Sequence, residues 1–511
     1  MRHRDRGLGG ISRREILRVL PVAMLGSRWS VAIGQTGFDF YISPTGSDSN
    51  PGTLSQPWAI TALNTKRSTY AGKKVGLLDG TYNIHSMVAA LPWNSNALEV
   101  APGSSGSPTI VAAVNPRQAS ITAKSGSTYG NSQGPGMLST VGSGGNVVFD
   151  GLKIGGNGRH GIRIGSTGGT GSIHGIVIRN CEFTDFDGRQ MQGGANLAQC
   201  ELNDCNGALI QNCWFHDNIG YAVGSGDHFA CVENWGCING IYEYCTVENQ
   251  AASFQGKAQG FYGNTVRYCY VDISAPVAGG AFSLFGFAGD VASGSVGGAD
   301  YFHHNVLIGS VPAQLRSVYL TDSRHTYHEV NLFNNTLIVI DGGFGYQIRI
   351  EPGLFRCYNN IIQCVSPSVQ GMACLNVDAN GLVDYNLYHK TSGSMSWTTN
   401  PDPSNDAKTS YSSHSSWASA MGANSVGGAS CDQHALVGNN PMFVSSGSRA
   451  DYYRLQAGSP ASGAGRSDGT TAGSAVDMGA WGNSAPTRIG CDFANSISLV
   501  RPMAPANLTV A

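Results

Sequence analysis

A two-residue unit recurs along this chain and restricts what it can fold into. Asn180-Cys181-Glu182-Phe183 returns as Asn212-Cys213-Trp214-Phe215, then as Tyr244-Cys245-Thr246-Val247 and Tyr268-Cys269-Tyr270-Val271. The second slot then turns to asparagine, in His304-Asn305-Val306-Leu307, Asn334-Asn335-Thr336-Leu337, Asn359-Asn360-Ile361-Ile362 and Tyr385-Asn386-Leu387-Tyr388. Successive second-slot residues are 32, 32, 24, 36, 30, 25 and 26 positions apart. A period of about 20 to 50 residues is the mark of a solenoid, propeller or array. Each unit is a short alternating strand beside Gly, Asn or Asp, with no amphipathic helix between units. The pattern predicts an all-β parallel β-helix, with the asparagines of the units bonding the backbone of the next coil.

Composition agrees. Charged residues make up 13% of the 511, against about 25% in ordinary globular chains, and there are 70 glycines. A net charge of −2 gives no global field towards nucleic acid or membrane. Thirteen cysteines are an odd number, and no Cys-x-x-Cys pair exists, so a zinc ribbon or thioredoxin-type motif has no support. Cys181, Cys213, Cys245 and Cys269 share one slot of successive units and are expected to stack as small buried side chains. Cys200/Cys205 and Cys231/Cys237, in less regular text, are the disulfide candidates.

The first residues, Ser12-Arg13-Arg14-Glu15-Ile16-Leu17-Arg18 with an apolar run to Leu25, resemble a twin-arginine export signal. Residues 1–35 are accordingly expected to be a signal peptide and the protein to be periplasmic or secreted. The apolar run is too short to span a bilayer. The remaining segments are expected to be a cap with the first coil (36–90), the β-helix (91–390), an irregular excursion (391–435), a closing coil (436–490) and a tail (491–511). Within the β-helix, 218–240 and 286–300 lack the rhythm and are expected to be loops over one face.

The opening, Phe38-Asp39-Phe40-Tyr41-Ile42-Ser43-Pro44-Thr45-Gly46, and the strand Leu77-Leu78-Asp79-Gly80-Thr81-Tyr82 resemble the N-terminal cap of right-handed parallel β-helix proteins of the pectate-lyase-like superfamily. The ending, with Asn440-Pro441-Met442-Phe443 and Asp477-Met478-Gly479-Ala480-Trp481-Gly482, is similar to the closing coil of that superfamily. The resemblance implies a single-stranded right-handed parallel β-helix acting on a polysaccharide, as a monomer or trimer. One fold hosts many functions, so activity must be argued from a site.

Three motifs are set aside. Gly156-Asn157-Gly158-Arg159-His160-Gly161 matches a dinucleotide fingerprint, but a strand follows it where a helix is required. Gly465-Arg466-Ser467-Asp468-Gly469 matches a nucleophile elbow without the strand-to-helix context. His303-His304 and His325-x-x-His328 read as outward-facing surface histidines.

In a stacked coil, residues at equal distance from the repeat marker fall in one column. Counting back twelve gives Glu201 from Cys213, Glu233 from Cys245 and Lys257 from Cys269. The same count from Asn335 gives Ser323 beside Arg324, and eleven back from Asn360 gives Arg349. Ser253-Phe254-Gln255-Gly256-Lys257 resembles the strand that presents the base lysine of β-helix polysaccharide lyases. Elimination across a uronic acid removes the C5 proton, α to a carboxylate, so a cation must neutralise that carboxylate. The base must also be uncharged near working pH. Lys257, Arg324 and Arg349 are the expected catalytic set, and Trp235, Tyr319, Arg316 and His325 the expected substrate contacts. Ca2+ is the expected cofactor, held by Glu201, Asp204 and Glu233.

The chain also departs from those lyases. The Gly-Glu-x-Glu metal motif is replaced by Glu248-Asn249-Gln250-Ala251-Ala252, and the next coil reads Ala281-Phe282-Ser283-Leu284-Phe285 where an arginine acid is usual. Two other functions therefore stand beside the lyase. One is a glycoside hydrolase or transferase using two of Asp204, Asp217, Asp227, Glu233, Glu243, Asp322 and Glu351. The other is a non-catalytic glycan-binding surface protein that exposes Trp214, Trp235 and Tyr319.

Overall fold

The computed structural model describes residues 37–491 apart from 92–94, 124–135, 143, 157–159, 166–170, 187–196, 218–228, 249–253, 258–262, 275–284, 290–298, 311–317, 323–328, 342–343, 351–354, 366–369, 375–380, 396, 400–408, 423–429, 448, 470–473 and 482–488. The described residues build three long sheets, here A, B and C, of twelve strands each. One coil shows the plan. His160–Ile164 lies in sheet C, Ile176–Arg179 in A and Glu182–Thr184 in B, and Leu197–Asn203 returns to C one coil later. Neighbouring strands are parallel, except where Thr409–Tyr411 closes sheet C antiparallel to Trp397–Thr399. This is the right-handed parallel β-helix.

Alternation along each strand puts one parity inside. Ile178, Phe183, Cys200, Leu202, Ile210, Phe215 and Val232 fill the interior with no exposed surface. From Asn180 to Asn386 the corner from sheet A to sheet B takes only two residues, and the first must turn left-handed. Asn180, Asn212, Tyr244, Tyr268, His304, Asn334, Asn359 and Tyr385 all have φ between 52° and 58°.

The second residue of the corner forms a polar ladder. Asn360 Nδ2 donates to Leu332 O (3.1 Å) and to Asn386 Oδ1 (3.0 Å), while its Oδ1 accepts from Asn335 N (3.0 Å) and Nδ2 (3.1 Å). At the last coil Asp432 takes the next asparagine's place, its Oδ1 accepting from Asn386 N. The cysteines serve the same slot with a weaker donor: Cys213 Sγ donates to Ile178 O (3.7 Å) and Cys245 Sγ to Ile210 O (3.8 Å).

Cys200, Cys205, Cys231 and Cys237 are free thiols, buried like the cysteines of the ladder, so neither expected disulfide forms. They sit on strands and bends of successive coils as interior packing, and Cys237 lies against Cys205 of the preceding coil.

Two stretches expected to be loops carry strands. Phe229–Trp235 and Phe285–Gly289 both belong to sheet C, where neighbouring coils satisfy their backbone whatever their composition. The 391–435 stretch is likewise ordered in part. Trp397–Thr399 extends sheet C, and helix His414–Met421, capped by Ser413, buries Trp417. After Leu436–Val437 the chain becomes a strap running back along the outside of sheet B. Gly479 N donates to Asn359 O, Ala480 N to Thr336 Oγ1, Gly490 N to Tyr268 O and Cys491 N to Thr246 Oγ1. A second core forms beneath it from Tyr270, Ile308, Ile361, Phe443, Met478 and Trp481. Arg449 of the strap pairs with buried Glu248 near its far end.

Candidate functional site

Sheet C carries the charged residues singled out above. Its register defines two columns, two residues apart and therefore on one face. The first runs Ser139, Arg163, Glu201, Glu233, Gln255, Gly286, Tyr319 and Gln347. The second runs Asn203, Trp235, Lys257, Ala288, Thr321 and Arg349.

The twelve-residue count is thus right for Glu201 and Glu233 and wrong for Lys257. Gln255 precedes its marker by fourteen residues (269−255), where Glu233 precedes its own by twelve (245−233). The turn from sheet C to sheet A varies in length from coil to coil, and each change slides the count. Lys257 stands level with Trp235, and Arg349 follows three coils later in the same column. Tyr319 lies in the first column. Arg316, Arg324 and His325 lie outside the described residues. Asp204 occupies neither column. It sits at the bend after Asn203 with φ +54°, buried, its N–H donating to Trp235 O at 2.7 Å.

Glu201 is the centre of a built ion cluster. Arg163 Nε donates to its Oε1 at 3.0 Å, Asn203 Nδ2 donates to the same oxygen at 2.9 Å, and His160 Nε2 lies 2.9 Å from Oε2. His160 and Arg163 come from one strand and Glu201 from the next, so the strand pairing itself brings them together. Burial pushes the Glu201 carboxyl up, but His160, Arg163 and Asn203 more than offset this and hold it well below the usual carboxylate range. Glu233, the next residue of the column, is fully buried, and Trp235 is half-buried.

The expected Ca2+ set can be tested on these contacts. Both Glu201 oxygens face nitrogen groups, two of which belong to residues that carry or can take positive charge. Among the described residues no three His, Cys, Asp or Glu side chains gather as a metal-ligand set. Ca2+ takes about six to eight oxygen ligands. The donors around Glu201 do not fit that requirement, and no step below runs through a metal.

Arg163 and His160 are the functional candidates that the marker count misses. The signal was present as a lone arginine in the alternating strand Ile162-Arg163-Ile164. It was hidden because eighteen residues (181−163) separate Arg163 from its marker. The histidine pair reads differently from the surface pair expected. His304 is buried at the corner with its Nδ1 2.8 Å from that of His303. Burial and nearby Arg267 lower the His304 pKa to about 4.

No protein-family model matches the chain, and neither does any curated protein. Solved structures do match. A pectate lyase, Pel9A, is similar at 17% identity and TM-score 0.46, over 86% of this chain and 95% of its own. A rhamnogalacturonan lyase is similar at 15% identity and TM-score 0.42, over 70% of this chain and 83% of its own. PfbA, a surface adhesin of Streptococcus pneumoniae, is similar at 10% identity and TM-score 0.35, over 66% of this chain and 84% of its own. The solved neighbours of this chain are thus parallel β-helix proteins, polysaccharide lyases and an adhesin among them, and its own three parallel sheets make it a right-handed parallel β-helix.

Proposed function

We propose that this β-helix is a carbohydrate-active enzyme that cleaves an acidic, uronate-containing polysaccharide by β-elimination on the outer face of sheet C. The observation that carries the reading is the register of that sheet. It gathers Arg163, Glu201, Glu233, Trp235, Lys257 and Arg349 into two adjacent columns of a chain poor in charge.

In this reading Lys257 is the base. It takes the C5 proton, the C5–H electron pair becomes the C4–C5 double bond of the product, and the C4–O pair leaves with the glycosidic oxygen, which takes up a proton from solvent. A lysine serves when cations nearby or burial lower its pKa towards the working pH. Arg349 lies three coils away, about 14 Å at about 4.8 Å per coil. That is too far to fork the carboxylate of the sugar losing its proton, so Arg349 is read as holding a carboxylate farther along the polymer. Trp235, level with Lys257, offers an aromatic surface for a sugar ring. Export through a twin-arginine signal belongs to the same proposal.

A second reading has its own support. Glu201 and Glu233 are in register on neighbouring strands, and glycoside hydrolysis uses a pair of carboxylates. One assay separates the two. Protein lacking residues 1–35 is incubated with a panel of uronate polymers, with Ca2+ and with chelator, and the ultraviolet absorbance of the new double bond is followed. Reducing ends without that absorbance would establish hydrolysis and sink the lyase. No product from any polymer would leave a glycan-binding protein.

A further inference from the structure

Arg163 pairs differently from Arg267, which also bonds a glutamate of a neighbouring coil. Arg267 spends two nitrogens on Glu243, at 2.8 and 2.7 Å, and its side chain is 34% exposed. Arg163 spends only Nε, on Glu201, and its side chain is 12% exposed. Its Nη1 and Nη2 make no hydrogen bond to any described residue. A guanidinium this enclosed, turned by one edge into a carboxylate that His160 and Asn203 also hold, presents a fixed fork whose two remaining nitrogens no described residue engages. That is the geometry that recognises a second carboxylate in bidentate fashion. Gly136, in register with His160 on the preceding strand, keeps the neighbouring position clear: a Cβ there would stand 3.2 Å from Arg163 Cβ and 2.5 Å from Asn96 Oδ1.

The register gives the spacing. Arg163 is three coils before the Gln255–Lys257 strand, as Arg349 is three coils after it. Each interval is about 14 Å along the face. A pyranose residue in an extended glycan is about as long as one coil, so three coils correspond to about three sugars.

We propose that Arg163 is a second carboxylate-binding subsite of this face, three coils from Lys257, which anchors an acidic glycan by a sugar that takes no part in bond cleavage. The proposal rests on the reading of the sheet C face as an acidic-glycan site. Glu201 is then a positioning residue that fixes the guanidinium, and His160 a positioning residue that fixes Glu201.

The test is a length series. Binding of di- to octasaccharides of polygalacturonate and polymannuronate is measured by calorimetry on wild type, Arg163→Ala, Arg163→Lys and Glu201→Gln, with unfolding temperatures taken alongside. Wild type is expected to gain about ten- to a hundredfold in affinity once the oligomer spans three coils. Arg163→Ala should abolish that gain, while Arg163→Lys, which keeps the charge without the fork, should retain part of it. Glu201→Gln should weaken the gain, and more so as ionic strength rises. A gain of wild-type size in Arg163→Ala would overturn the proposal, as would a wild type with no dependence on length. If Arg163→Ala does not fold, the partial gain in Arg163→Lys decides. Length-dependent binding without new ultraviolet absorbance would sink the lyase and leave the subsite standing. Elimination without the length-dependent gain would do the reverse.

Discussion

Lys257 stands in register with Trp235, one column away from the acids, and Gln255 takes the place beside Glu233. The lysine is therefore diagonal to the Glu201–Glu233 column and level with an aromatic ring, which suits a base working beside a bound sugar. Lys257→Ala is expected to lower kcat for β-elimination by about 10²- to 10⁴-fold, with the circular dichroism and unfolding temperature of wild type. The ultraviolet assay reads it directly. Activity within a few-fold of wild type would remove Lys257 as the base.

The corner ladder predicts a contrast between two slots of identical position. Asn360 is fully buried and joins three coils through its side chain, so Asn360→Ala removes the acceptor of two Asn335 donors and the donor to Leu332 O, and leaves Asn386 Oδ1 only the backbone N–H of residue 360. The cost should be about 3 kcal/mol. Cys245 offers only weak thiol contacts, to Glu243 O at 3.5 Å and Ile210 O at 3.8 Å, so Cys245→Ala should cost about 1 kcal/mol. Denaturant midpoints of the two variants give the comparison. Equal costs would mean that the ladder acts through side-chain volume alone.

His216, on strand Trp214–His216 of sheet B, makes a pH-dependent contribution. Burial acts to lower its pKa, but Asp217 and Glu182 outweigh burial and raise it above the ordinary value. A histidine raised on folding adds stability that is complete below its unfolded pKa of about 6.5 and is lost as pH climbs through the folded value. Glu182 behaves oppositely. Burial raises it, His216 and Lys153 lower it further than that, and its contribution is lost as pH falls through its depressed folded pKa. The Tm deficit of His216→Gln should therefore be largest below about pH 6.5 and shrink as pH rises through the raised folded value. A deficit growing with pH would contradict this network.

The cysteines give a prediction that needs no variant. All twelve whose side chains are described are free and buried, and burial pushes thiols such as Cys200 and Cys231 well up. An aromatic disulfide reagent should leave these thiols unmodified in the native protein and titrate all thirteen cysteines once the chain is unfolded. Fast native labelling of several thiols would show that the interior column opens.

The chain by itself determined the coil. The marker is legible because from Asn180 to Asn386 the corner between sheets A and B keeps one length: a left-handed residue, a ladder residue, then a strand. Local geometry and buried hydrogen bonds both act on those two positions, so residue type there is constrained at every turn and the period is visible.

What only the tertiary structure decided is which residues become neighbours across sheet C. The segments leading from that sheet to sheet A differ in length, so the in-register residue lies two positions farther from its marker on the Lys257 strand and six on the Arg163 strand than Glu233 does. Strand pairing, fixed by backbone hydrogen bonds between coils, is indifferent to that drift. It sets Arg163 and His160 against Glu201 across one strand pair, and it seats the strap over sheet B, where Arg449 reaches a glutamate about 200 residues (449−248) earlier in the chain.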